Sequence, residues 1–404
     1  MWGWGVRRAP IVGAALVAGM AMTLAAAPAN AAPAPPTSAG QGTDTTARLT
    51  LPAPTGRHAL GTVSLHLVDP SRRDTWVPGQ PVRELMVQLW YPADRSPAHP
   101  KAPYMTPGAA TTFMTTNGLP ADRITLPVTH AGQGAPAEPG RFPVLLYAHG
   151  SHDNRAGNTA LLEDLASHGY IVVSIDHTHY AEEVEFPDHR VETEVHDPDP
   201  AHELDTRVAD VRYVLDEITA LAHGADPDAE HRALPQRLAR TLDLDRIGMF
   251  GASFGGVESA AAMNADPRIR AAASLDGPLA EPGFGPISRD GVTKPLLNLT
   301  SAAADGHPPL RPLLHGWGRV YRMDGSEHLT YSDGEVLIPQ AEPVLQIPAD
   351  QLVQQYGTIA PRRALRLEHT YLRAYFDLQL RDRHTCPDLF DGPSAAYPEM
   401  KPGA

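Results

Sequence analysis

The chain has 404 residues, with 33 Lys and Arg against 47 Asp and Glu, a formal net charge of −14. That length holds one large α/β domain or two ordinary ones. The acidic balance, without a run of Lys or Arg, repels phosphate backbones and anionic membrane surfaces and sets nucleic acid aside as a partner.

Arg7 and Arg8 form a short positive region near the start, an almost wholly apolar run covers 11–27, and Ala29-Asn30-Ala31 follows. This is the three-part pattern of a secretory signal peptide over 1–31. The apolar run is short and a cleavage site follows it, which argues against a retained anchor and against stable membrane insertion of the mature chain. The paired arginines also suit twin-arginine export, and no Cys stands after the run for a lipid anchor. Residues 32–56, rich in Ala, Pro, Thr, Ser and Gly, read as a flexible leader. A catalytic domain is expected over 57–385 and a C-terminal tail over 386–404.

Val63, Leu65 and Leu67 alternate, as do Leu85, Val87 and Leu89, so two half-buried strands are predicted there. The Pro/Gly/Thr-rich stretch 94–140 reads as a long loop or partial cap. Continuous apolar runs at 142–147 and 170–175 suit strands buried on both faces. Between them 158–168 is helix-like and stops at Gly169. A stronger helix is predicted over 201–222, where Leu204, Val208, Val211, Leu215, Ile218 and Leu221 recur at helical spacing before Gly224. Strands at 247–250, 269–275, 295–300 and 318–323 follow, with a helix from Phe254 and a last helix over 362–381. The sole cysteine, Cys386, leaves no internal disulfide and no cysteine zinc site. Strands alternating with helices predict an α/β fold with a mostly parallel sheet covered on both faces.

Chemistry concentrates at Gly251-Ala252-Ser253-Phe254-Gly255-Gly256, a G-x-S-x-G string between a strand and a helix. A tight strand-to-helix turn crowds its backbones, so small residues must flank the serine, which the turn lifts above the sheet. Ser253 is the expected nucleophile. The backbone amide of Phe254 would steady a developing oxyanion, and the amide of Ser151, after Tyr147-Ala148-His149-Gly150, would be the second donor. His328, on a loop after the strand at 318–323, is the expected base; His307, His315, His369 and His384 lack that context. The acid that orients it follows a strand end, either Asp276 or Asp305, and position alone leaves both open. His177 and His179 beside Asp176 read as solvated surface rather than a metal site, so neither metal nor cofactor is expected.

Several strings together resemble the platelet-activating factor acetylhydrolase family, plasma and intracellular type II, within the α/β-hydrolase superfamily. They are Leu89-Trp90-Tyr91-Pro92, the run from Phe142 to Gly150, Gly251 to Gly256 with Ala252 where His is common, Ser274-Leu275-Asp276-Gly277-Pro278, and His328 before Thr330-Tyr331-Ser332-Asp333. The resemblance covers about 58–382. It departs at Ser151, where an apolar residue is usual, and over 94–135. It implies the α/β-hydrolase fold, a metal-free Ser253–Asp276–His328 triad, and hydrolysis of short or oxidised acyl esters of phospholipids or similar small molecules. A broad lipase or cutinase-like polyesterase is the alternative, and there the acid would be Asp305. A catalytically dead hydrolase fold used for binding would usually have lost one of the three groups, and all three stand here.

Overall fold

Residues 45–77, 79–80, 82–95, 99–383 and 389–403 are described by the structure, a computed structural model. The expected signal peptide, His384 and Cys386 lie outside them. In chain order the first elements are β1 (Ala47–Arg48), β2 (Ala59–Asp69), β3 (Arg83–Ala93), β4 (Lys101–Pro103), α1 (Pro107–Thr116), β5 (Ile124–Thr125) and β6 (Val128–Gln133). Next come β7 (Phe142–Ala148), α2 (Thr159–Ser167), β8 (Ile171–Asp176), β9 (Glu183–Glu185), β10 (Val191–Thr193), α3 (Pro200–Ala222) and α4 (Leu238–Thr241). The third group is β11 (Leu242–Ala252), α5 (Phe254–Ala265), β12 (Ile269–Leu275), α6 (Ile287–Asp290), β13 (Leu296–Thr300) and β14 (Gly318–Met323). Last are α7 (Gly334–Leu345), α8 (Ala349–Tyr356), α9 (Pro361–Arg381) and β15 (Met400–Pro402).

Among the described residues eleven strands form one sheet in the order β15-β14-β13-β12-β11-β7-β8-β3-β2-β6-β4. From β8 through β14 neighbouring strands run parallel, while β3 and β2 continue it antiparallel. Successive residues of a strand point to opposite faces, and β7 shows what that does here. Val144, Leu146 and Ala148 join one core with Val211, Leu215 and Ile218 of α3 and Ala260 and Met263 of α5. Leu145 and Tyr147 join the other core with Leu161 and Leu165 of α2 and Leu367, Tyr371 and Phe376 of α9. Strands buried on both faces are therefore apolar without alternation. Helix α3 starts where Asp199 accepts the Ala201 amide at 3.0 Å with Pro200 in its first turn. It ends before Gly224, whose φ is +95°.

Three expectations differ. Residues 45–56 are packed rather than a loose leader. β1 pairs with β5, Leu49 and Leu51 are buried, and the Thr55 amide donates to Asp164 at 2.7 Å. Two leucines in an otherwise small-residue stretch supply the apolar contact. The segment 94–140 contains β4, α1, β5 and β6 rather than an unstructured loop. Within the expected tail, Leu389, Phe390 and Met400 are buried and β15 pairs antiparallel with β14.

Candidate active site

β11 delivers Ser253 to the edge of the sheet, and α5 begins at the next residue. Ser253 has φ +53° and ψ −123°, a region that costs a side-chain-bearing residue about 1–3 kcal/mol unless its surroundings enforce it. They do. The Ser253 amide donates to the Leu275 carbonyl at 2.8 Å, and the Gly256 amide to the Ser253 carbonyl at 2.9 Å. A Cβ at Gly251 would stand 2.3 Å from the Gly255 carbonyl oxygen, and one at Gly255 only 2.2 Å from that of Ala148. Glycine is required at both places by close approach of backbone, as the string predicts.

β12 ends at the same level. Asp276, the next residue, has φ +57°, and its amide donates to the Leu299 carbonyl at 2.7 Å. Its carboxylate accepts from the Ser301 amide at 2.7 Å, the Ser301 hydroxyl at 2.8 Å and His328 Nδ1 at 2.6 Å. The Asp276 side chain is buried, whereas the His328 ring is 37% exposed. Burial pulls the His328 pKa down, but the hydrogen bond and charge of Asp276 outweigh it and leave it above the ordinary 6.5. With Nδ1 engaged, Nε2 is the nitrogen left to act as a base.

Asp305 is elsewhere. Its side chain is 62% exposed and pairs with Arg322 Nη1 at 2.8 Å. Of the two carboxylates open on position, only Asp276 touches His328. Gly150 approaches the nucleophile turn closely enough that a Cβ there would lie 3.1 Å from Ser253 Cβ. Ser151 follows it at the surface, and Phe254 stands at the first position of α5, where amides have no partner within the helix. The Ser253 turn and the Asp276–His328 pair are thus both anchored at the end of β12, and with two candidate amide donors they supply the kinds of group that acyl transfer uses.

His177 and His179 are not the solvated surface expected of them. His177 is fully buried and His179 2% exposed. His177 lies 3.1 Å from Asp210 Oδ2 and 2.9 Å from Glu258 Oε1. Burial lowers its pKa, but those carboxylates raise it on balance. Charged partners on α3 and α5 explain why His177 sits inside, while His179 faces Asp74 at 3.6 Å. Among the described residues no group of three His, Cys, Asp or Glu side chains is placed to hold a metal ion. His369, within α9, lies 3.3 Å from Asp164, its side chain 11% exposed.

Sequence reasoning missed Ser301 and the charges behind the turn. Ser301 follows β13 directly, yet its partner lies 25 residues earlier, so no local spacing marks it. Arg207 and Asp210 could have been flagged, since they adjoin the apolar stripe of α3.

Against known proteins, the profile of the platelet-activating factor acetylhydrolase isoform II family matches residues 46–297, a stretch that holds Ser253 and Asp276 and stops before His328. A probable 1-alkyl-2-acetylglycerophosphocholine esterase of Arthroderma benhamiae is 27% identical over 284 residues, 64% of this chain and 65% of that relative. The chain thus matches slightly less than two thirds of that relative's length. A ferulic acid esterase from Streptomyces cinnamoneus, solved at 2.4 Å, superposes with a TM-score of 0.72 and 34% identity over 87% of this chain and 98% of that one. The two share the α/β-hydrolase fold.

Proposed function

The chain belongs to the platelet-activating factor acetylhydrolase isoform II family, and from that premise we propose that it is a secreted serine carboxylic-ester hydrolase working through an acyl-enzyme. The observation that carries the reading is the 2.6 Å contact between His328 Nδ1 and buried Asp276, on the strand end that also holds the Ser253 amide. His328 Nε2 takes the hydroxyl proton as Ser253 Oγ attacks the ester carbonyl carbon. The oxyanion rests on the amides of Ser151 and Phe254. Collapse breaks the bond to the alkoxy oxygen, and His328 returns the proton to the departing alcohol. Water, deprotonated by the same imidazole, then attacks the acyl-serine and frees the acid. Asp276 holds the imidazole in the required tautomer throughout and stabilises its positive charge.

The family and the Arthroderma relative support short or oxidised acyl esters of phospholipids as substrates. The Streptomyces neighbour, matched over nearly its whole length at higher identity, favours a second reading, esters of an aromatic acid. Parallel assays on an acetyl glycerophosphocholine, methyl ferulate and a p-nitrophenyl ester series of rising chain length separate them. A fluorophosphonate should label wild type and spare Ser253→Ala; labelling of both would exclude Ser253 as nucleophile. Export is a separate part of the proposal. Mass spectrometry of the protein from culture medium should find it beginning near Ala32, and an intact Met1 there would contradict the signal peptide.

A further inference from the structure

Behind the Ser253 turn lies a largely buried network of charges that the proposed steps do not use. Arg207 of α3 is fully buried. Its Nε donates to Glu258 Oε2 at 2.7 Å, its Nη1 to Glu203 Oε1 at 3.1 Å, and its Nη2 to the backbone carbonyl of His149. Its guanidinium carbon stands 5.1 Å from the centre of the Phe254 ring. Beyond Glu258 the network continues through His177 to Asp210 and Arg83, each at most 2% exposed. Mutual neutralisation explains the carboxylates, because a buried ion left alone is costly. It does not explain why one donor of Arg207 goes to a main-chain oxygen of the turn that carries Gly150 and Ser151.

That turn is held at two successive peptides. The His149 carbonyl is fixed by Arg207 on one side and pressed against Gly255 on the other, where a Cβ would lie 2.7 Å away. The Gly150 carbonyl accepts from His149 Nδ1 at 2.7 Å. A carbonyl only accepts, so Nδ1 carries the proton. Burial, then the positive charges of Arg207 and His177, keep the ring neutral. In a trans peptide the amide hydrogen points opposite to the carbonyl, so fixing the Gly150 oxygen also fixes the direction of the Ser151 N–H.

We propose that Arg207 is a positioning residue of the oxyanion hole, clamping the Gly150–Ser151 turn to the helix that starts at Phe254 so that the two amide donors keep a fixed separation. This rests on the reading of Ser253, Ser151 and Phe254 given above. Arginine suits the task because its planar fork serves Glu258, Glu203 and a carbonyl at once. A lysine offers the same charge from a single point. Donors set before reaction need no reorganisation as charge develops, and each is worth roughly 10²–10³ in kcat.

The test uses the whole protein as expressed and p-nitrophenyl acetate. Arg207→Lys keeps a cation beside Glu258. The pair Arg207→Met with Glu258→Met removes both charges, so neither of these two is left facing a vanished partner, while His177 keeps Asp210 and Glu203 is partly exposed to solvent. In whichever variant circular dichroism shows to be folded, kcat should fall about 100-fold with KM within about threefold. Affinity for a trifluoromethyl ketone, whose adduct carries the oxyanion, should weaken in step with kcat. The acid limb of the pH profile should stay where His328 sets it. A folded variant with kcat within threefold of wild type, or a loss confined to KM with ketone affinity unchanged, overturns the clamp. Ser151→Pro, which removes the amide hydrogen, separates the clamp from its premise. If that variant folds and keeps kcat, the oxyanion reading itself falls. If it loses activity while the Arg207 variants do not, only the clamp falls.

Discussion

At the scale of single residues, Asp276 accepts three hydrogen bonds, two from Ser301 and one from His328, so its carboxylate has little freedom to turn. Asp276→Asn would offer an amide where His328 needs an acceptor and favour the wrong imidazole tautomer. The expected result is a loss of about 10⁴-fold in kcat with the fold intact by circular dichroism. Asp305→Asn, at an exposed pair with Arg322, should stay within about threefold of wild type. Reversed results would move the acid to Asp305. The pH dependence follows from the same contact. Only the neutral imidazole accepts the Ser253 proton, and Asp276 outweighs burial to lift the His328 pKa above 6.5. The rate should therefore fall as pH drops, with a midpoint above 6.5; a kcat/KM profile flat down to pH 5 would exclude this base. Strand-then-loop context singled out His328 and left Asp276 and Asp305 level. Their difference is a direct tertiary contact of Asp276 with His328, steadied by Ser301, which one-dimensional spacing does not encode.

Among the elements, the nucleophile turn is the most sharply specified. Gly255→Ala would drive a methyl group to 2.2 Å from the Ala148 carbonyl oxygen, a clash with backbone that no rotamer relieves. We expect a loss of about 3 kcal/mol or more, read as a lower denaturation midpoint together with lost turnover; an unchanged midpoint would mean the turn relaxes freely. The long elements were legible because each obeys a single period. The strands at 269–275 and 318–323 fall as expected, and α3 and α9 begin one residue earlier than read. The short elements between 94 and 140 were not. β4 and β5 span three and two residues, too few for a period, and α1 buries only Ala109 and Met114. Their positions are set by what they pack against.

Over the whole molecule, the ends of the described chain are structural parts. Leu49 and Leu51 join a cluster with Met114, Val336, Leu337 and Leu365, and Gly56 donates to Ser167 Oγ at 2.8 Å. A chain beginning at residue 57 should lose on the order of 3 kcal/mol or more, since burying one leucine contributes about 1.5–3 kcal/mol. Thermal denaturation checks this, and an equal melting temperature would return 45–56 to the status of a leader. Composition misled there because a few apolar side chains, rather than the average of a stretch, decide whether it packs. The margins of the large sheet have a further consequence. One outermost strand is β4, Lys101-Ala102-Pro103, and the other is β15, Met400-Lys401-Pro402. Each is three residues long and carries an exposed lysine and an exposed proline. A proline has no amide hydrogen to offer an incoming strand, and a lysine would have to bury its charge against one. Among the described residues the eleven strands thus end at both sides in segments poorly suited to pair with a twelfth, the arrangement by which sheets resist edge-to-edge polymerisation.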